Sequence, residues 1–213
     1  MLEKKKYQEI LIKKTMPVFE KHGFDVTSFN NHTEVLSKIL EIIPQDAVIG
    51  YGGSRTLEQI GFFDYITVKN YPNLLDRKKP DISPDEKKAL QRKALLSDYY
   101  LCSANAVSQT GRIYNIDKWG NRVGATIYGP EKVILVIGAN KICLTDNEAL
   151  SRVRNYASPL NTIRFNLKTP CTSSGHCHDC FHEDRICGTT VIIDRCLPKN
   201  RISLFFVAED LGF

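Results

Sequence analysis

The 213-residue sequence has no long apolar run. The longest, residues 133–139 (VILVIGA), falls far short of the about 20 residues of a membrane-spanning helix. No apolar stretch follows the charged start MLEKKKYQEI, so no secretory signal is expected. Basic blocks are equally scarce. Lys4-Lys5-Lys6 is the one run of three lysines, and 29 Lys+Arg against 24 Asp+Glu leave a net charge of only +5. No nucleic-acid partner and no membrane are expected, and the cytoplasm is the expected location. Seven cysteines are too few for a disulfide-dense scaffold. In a reducing compartment, clustered thiols point instead to metal or redox chemistry. There is no nucleotide motif: neither a glycine loop ending in Gly-Lys-Ser/Thr nor a G-x-G-x-x-G. Repeats and low-complexity segments are also missing. An apolar fraction of 42% with 25% charged residues excludes wholesale disorder and a fibrous fold. The length suits one large domain with at most a small appendage.

What is present alternates between two periods. Residues 2–21 read as a helix, with Leu2, Ile10, Leu11, Val18 and Phe19 at helical spacing and His22-Gly23 as the stop. Residues 24–29 (FDVTSF) alternate as a strand. Asn31 with Glu34 opens a second helix containing Val35, Leu36, Ile39 and Leu40, which Pro44 ends. Residues 46–51 (DAVIGY) form an apolar run that stops at Gly52-Gly53-Ser54, and a helix with Leu57, Glu58 and Ile60 follows. Ser83-Pro84-Asp85-Glu86 carries a helix-opening capping box. Further strands are expected at 99–102, 112–116 and 201–207. Residues 132–137 (KVILVI) suit a strand buried on both faces. Thr145 with Glu148 opens one more helix, closed by Pro159. Strands alternating with helices predict an α/β fold with a mostly parallel sheet and flanking helices.

Four groups of residues carry candidate chemistry. Gly52, Gly53, Ser54 and Thr56 lie where a strand turns into a helix. Glycines there let backbone N–H groups approach a ligand, and a helix start favours a phosphate or carboxylate. The same residues also suit a plain turn with Ser54 as its cap. Between two apolar strands lie Asn105, Thr110, Gly111, Asp117 and Asn121. Asp117 offers acid–base chemistry and the others offer ligand contacts, although Asp117 and Asn121 are also common turn formers. Asn140 and Lys141 follow the strongest strand, at the end where open α/β sheets bind ligands. Lys141 joins Asp117 as a candidate catalytic residue.

The fourth group is Cys171, Cys177, Cys180 and Cys187, four thiols within 17 residues. Thiolates bind zinc or an iron–sulfur cluster, and C-x-x-C lets one loop supply two ligands. Only one C-x-x-C is present, and the uneven spacing leans toward an iron–sulfur cluster, with zinc as the alternative. Free thiols on a mobile loop are the plain alternative. Cys102 and Cys143 read as core residues, and Cys196 as a spare thiol near the cluster. The expected organisation is a core at 1–165, a cysteine-rich loop insertion at 166–199 and a last strand of the same core at 200–213.

The segments GYGGSRTLEQIGF, LCSANAVSQTGRIYNIDKWGNRVGATIYGP and KVILVIGANKI resemble the LUD domain, named for lactate utilisation. The resemblance spans roughly residues 10–213, on the side of lactate-utilisation protein C. Within it, the chain is similar to a small single-domain group with a C-terminal TPC…GxCxDC…RIC segment. The resemblance implies a fold like the ribose-phosphate isomerase, glucosamine-phosphate deaminase and CoA-transferase superfamily. It also implies an anion cradle at Gly52, Gly53, Ser54 and Thr56, with Asn105, Thr110, Asp117, Asn121 and Lys141 near the same cleft. The tandem ferredoxin-type cysteine runs of the system's B subunit are absent, so the family name alone does not make lactate the substrate.

Three functions fit these residues. One is a redox-linked enzyme or accessory of lactate-like organic acid metabolism, with an anion cleft and a cysteine-bound metal centre. It implies a small anionic metabolite, a redox partner protein and a possible homo-oligomer. The second is a metal-free isomerase or transferase acting on a phosphorylated sugar or acyl compound. The third is a non-catalytic ligand-sensing or assembly subunit.

Overall fold

A computed structural model describes residues 2–213. The first half runs α1 (Leu2–Lys21), β1 (Asp25–Phe29), α2 (His32–Ile42), β2 (Ile49–Tyr51), α3 (Arg55–Gln59), α4 (Phe62–Tyr65), α5 (Pro84–Lys93) and β3 (Tyr99–Cys102). It continues with β4 (Ala106–Ser108), β5 (Arg112–Asp117), α6 (Asn121–Ile127), β6 (Lys132–Gly138), β7 (Ile142–Cys143) and α7 (Asp146–Arg152). The last elements are α8 (Ser158–Arg164), α9 (Pro170–Ser174), β8 (Thr189–Ile193) and β9 (Ile202–Val207). No helix among the described residues is long and apolar enough to cross a membrane.

Five strands form a fully parallel sheet in the order β1-β9-β6-β3-β2. The central strand β6 explains the unbroken KVILVI run. Val133, Leu135 and Ile137 point to one face, where Ile12 and Phe19 of α1 cover them. Ile134 and Val136 point to the other, against Val35 and Ile39 of α2 and Leu57 of α3. A strand covered on both sides needs apolar residues at every position, not at alternate ones. The mostly parallel α/β sheet with flanking helices is therefore the observed architecture.

All three expected helix starts are present, with one difference. Ser83 and Glu86 make a reciprocal capping box at α5. At α2 and α7, Asn31 and Thr145 accept from the Glu34 and Glu148 N–H groups. Their glutamates, however, reach one residue further back, to the N–H groups of Asn30 and Leu144. Pro159, expected to close a helix, instead lies in the first turn of α8. A wider π-type turn at Val153–Ala157 precedes it and loosens the hydrogen-bond ladder where a proline could not donate.

The pattern did not mark a second sheet, ordered β7-β4-β5-β8. Strand β8 comes from the cysteine-rich segment and pairs antiparallel with β5, Val191 opposite Asn115. Residues 189–193 are mostly half-exposed or exposed, so they carry little apolar periodicity of their own. Cys196 also departs from expectation. It is fully buried in the core with Phe19 and Phe24, and its N–H donates to the His22 carbonyl. Cys102 and Cys143 are buried as expected.

Phe206 of β9 is fully buried and meets Phe19 at a ring-centroid distance of 6.0 Å. Phe206→Ala should lower unfolding stability by about 3–5 kcal/mol in urea titrations, since a large ring is lost from between sheet and helix.

Candidate functional site

The parallel sheet sends four chain segments past its carboxyl ends. They follow β2, β3, β6 and β9, and they meet at a cleft of about 670 Å³. Ligands of open α/β sheets bind at this end. Of the residues singled out in the sequence, Gly53, Ser54, Thr56, Asn105, Asp117, Asn121 and Lys141 line this one cleft.

Lys141 is the chemical centre of the cleft. It ends a single 3₁₀ turn directly after β6 and is only 3% exposed. Its Nζ lies 2.8 Å from Thr56 Oγ1 and 2.8 Å from Ser103 Oγ. Among the described residues no carboxylate pairs with it. Burial pushes the amine well below the ordinary lysine range, and the Arg152 and Arg122 charges push it the same way. An uncharged amine has two hydrogens for two hydroxyl oxygens, which leaves its lone pair for a ligand. The Gly212 backbone packs beside it, where a Cβ would stand 3.0 Å from Nζ and 2.4 Å from Thr56 Oγ1.

Two arginines that sequence reasoning did not select hold this centre in place. Arg122 donates to the Ser103 carbonyl, Asn105 Oδ1 and the Ile116 carbonyl at 3.1, 2.9 and 2.7 Å. Arg152 donates to the Asn140 and Asn105 carbonyls at 3.1 and 2.6 Å. Arg122 was within reach of the sequence, inside the Gly120-Asn121-Arg122 motif. Nothing in the spacing marks Arg152. Gly52 belongs to the same arrangement from behind. A Cβ there would lie 3.0 Å from Cys102 Cβ and 3.1 Å from Arg122 Cγ. At Gly53 it would meet Arg77 Nη2 at 3.2 Å. Neither glycine has a left-handed backbone; space favours glycine at 52, whereas at 53 only the flexible end of Arg77 would have to yield.

Several expected contacts are already engaged within the protein. The Ser54 hydroxyl caps α3 by accepting from the Leu57 N–H at 3.2 Å. Asp117 Oδ2 accepts from the Arg122 and Val123 N–H groups and so orients the start of α6. Asn105 Oδ1 accepts from the Ile116 N–H and Arg122. Besides Gly52, which lies behind it, three candidates do not line the cleft. Thr110 bonds to Ser108 and Asp146 at the far end of the β4–β5 hairpin. Gly111 forms the turn of that hairpin at φ +85°, and its carbonyl meets His22 Nδ1. Asn140 clamps the chain after β9, accepting from the Leu211 N–H and donating to the Gly212 carbonyl.

The cleft wall is strongly basic. Besides Lys141, seven Lys/Arg side chains and two carboxylates line it, an excess of five basic groups in one cleft of a chain whose net charge is +5. Glu58 accepts from Arg55, Arg164 and Lys78 at 2.9, 2.9 and 3.1 Å. Burial alone would raise its carboxyl, but these cations hold it below the usual carboxylate range. Arg164 lies far in sequence from Arg77 and Lys78, and only the fold brings the three together.

The four clustered cysteines line a second, narrow cavity of about 20 Å³ with His178 and Asp179. Arg185 gathers this loop by donating to the Cys180 and Cys187 carbonyls and to Asp179. Burial raises the Cys187 thiol, and the neighbouring Cys177 and Cys180 add to the rise while Arg185 opposes it. The donor chemistry suits a metal, and the space is that of one water-sized ion. Yet among the described residues no three His, Cys, Asp or Glu side chains stand close enough together to hold one. Ser158 and Ile186 line both cavities and form the wall between them.

The state of Lys141 has a thermodynamic signature. Unfolded, the amine keeps its proton up to about pH 10.4. Folded, it releases the proton at a lower pH. Between those two values the unfolded chain binds more protons, so stability rises with pH, by at most about 1.4 kcal/mol per unit. Urea unfolding of wild type and Lys141→Met from pH 7 to 10 should show the difference moving in favour of wild type as pH rises.

The chain matches the family model of the LUD domain over residues 12–207. Its fold is similar to the crystal structure of a DUF162 family protein from Deinococcus radiodurans. The TM-score is 0.53 at 13% identity, covering 94% of this chain and 97% of that one. At that identity the likeness concerns the fold. No curated protein matches the chain significantly. The family match extends from α1 through the last sheet strand and includes the glycine turn, the Asn121-Arg122 motif and Lys141, so the chain belongs to the LUD domain family.

Proposed function

We propose that this LUD domain protein binds a small anionic metabolite of the lactate-like organic acid type in the cleft and acts on it in a redox-linked reaction. The observation that carries the reading is Lys141: a buried amine without a carboxylate partner, held by two hydroxyls inside a basic cleft. The basic wall draws in the carboxylate. Lys141 then accepts the hydroxyl proton of a 2-hydroxy acid, the usual task of an amine kept uncharged near neutral pH. Conversion to the 2-oxo acid releases a second proton to solvent and two electrons to a redox partner protein. Thr56 and Ser103 orient the amine, and Arg122 fixes the Ser103 carbonyl and the Asn105 side chain beneath it.

A metal centre beside this cleft would draw on the four thiols that line one cavity across the Ser158–Ile186 wall, which would have to close in from their present spacing to hold it. An iron–sulfur cluster there would supply one-electron transfer, and a zinc ion would supply local order. No step above is routed through it. A metal-free isomerase or transferase acting on a phosphorylated sugar or acyl compound is the second reading, favoured by the cationic excess and by the wide spacing of the candidate metal ligands.

Calorimetry and acceptor-linked assays with lactate and other 2-hydroxy acids separate these readings. Binding with turnover is expected in wild type, and turnover should fall at least 100-fold in Lys141→Met while binding persists. Gly53→Val displaces the end of Arg77 and should weaken binding about tenfold without loss of fold. Binding of sugar phosphates with no response to any 2-hydroxy acid would favour the second reading. Iron and zinc analysis of anaerobic protein tests the centre. Cys→Ser at 171, 177, 180 or 187 should lower metal content and Cys102→Ser should not. A metal-free wild type removes the centre from the account.

A further inference from the structure

The cleft is much larger than a three-carbon acid. At about 670 Å³ it lies within the range of about 300–1,000 Å³ typical of drug-sized ligands. Its positive charge also exceeds what one carboxylate can balance. Glu58 alone stands against Arg55, Lys78 and Arg164, and Asp117 is already engaged with the start of α6. Arg77 and Lys87 add to the same wall. Like charges crowded in one concavity repel each other, and a ligand with several negative groups relieves that repulsion.

The rim carries a different chemistry. Trp119, the single tryptophan of the chain, lines the cleft yet is 77% exposed, and Phe165 is 57% exposed. Each has a cation beside its ring. The Lys118 ammonium is 5.1 Å from the Trp119 centroid and the Arg164 guanidinium 5.2 Å from that of Phe165. Exposed aromatic faces next to cations are the surfaces on which planar bases stack while their phosphates are neutralised.

We propose that the outer cleft binds a nucleoside polyphosphate, with Arg77, Lys78 and Arg164 on the phosphate chain and Trp119 on the base. Side-chain cations do here what a glycine fingerprint does in nucleotide-binding loops, so the sequence carries no nucleotide motif. The site does not depend on the chemistry of Lys141 and leaves the inner cleft to the acid.

Calorimetry with ATP, adenosine and inorganic tripolyphosphate tests the proposal on the intact chain, with the emission of Trp119 as an independent signal. ATP should bind at least tenfold more tightly than either fragment and should change the emission. The double variant Arg77→Ala, Arg164→Ala should lose at least tenfold in ATP affinity. Trp119→Ala alters an exposed side chain and should keep its melting temperature, while ATP affinity falls to that of tripolyphosphate. Lys141→Met should bind ATP as wild type does, so failure of the organic acid reading would leave this result standing. Equal affinity for ATP and tripolyphosphate, or no binding of either, would overturn the proposal.

Discussion

Burial of β6 on both faces is the constraint from which the rest of the molecule follows. Its apolar residues hold α1 on one side and α2 with α3 on the other, and its edges pair with β3 and β9. A strand fixed on four sides has no freedom at its carboxyl end. The turn that follows therefore delivers Lys141 to one place, against Thr56 from the first turn of α3 and Ser103 from the loop after β3. Packing far from the cleft thus sets the geometry of the amine to within hydrogen-bond tolerance.

Electrostatics completes what packing begins. A buried ammonium is costly, and here two nearby guanidinium groups add to the cost. Carbonyl oxygens of the surrounding loops satisfy the donors of Arg122 and Arg152. The two arginines therefore serve as struts for the loops, and their charges add to the lowering of the Lys141 amine that burial begins. Further out, Lys and Arg side chains line the open cleft, so the site grades from a buried amine inside to a basic mouth.

Much of the fold was legible in the sequence because it rests on local signals. The KVILVI run, the Ser83-Glu86 box and the glycine turn after β2 each announce themselves within a few residues. The second sheet was not legible, since β8 has meaning only as a partner for β5. The site divides in the same way. Lys141, Thr56 and Asn105 follow strand ends and could be named from order alone. Thr110 and Gly111 were placed with them by their position between two strands and, for Thr110, by the family resemblance, but the hairpin carries them to its far end. Arg77, Arg164 and Arg152 were missed because a long-range meeting of cations leaves no pattern along the chain. The four clustered cysteines line one cavity, while Cys196 went to the core because its neighbours pair with the end of α1.

The central claim is that Lys141 is uncharged in the folded protein. The direct measurement is a heteronuclear NMR titration of lysine labelled with ¹³C at Cε, with the Lys141 signal assigned from the spectrum of Lys141→Arg. The account predicts one lysine that titrates well below the others and belongs to position 141. A Lys141 signal that titrates with the surface lysines, near the ordinary value of about 10.4, would contradict it.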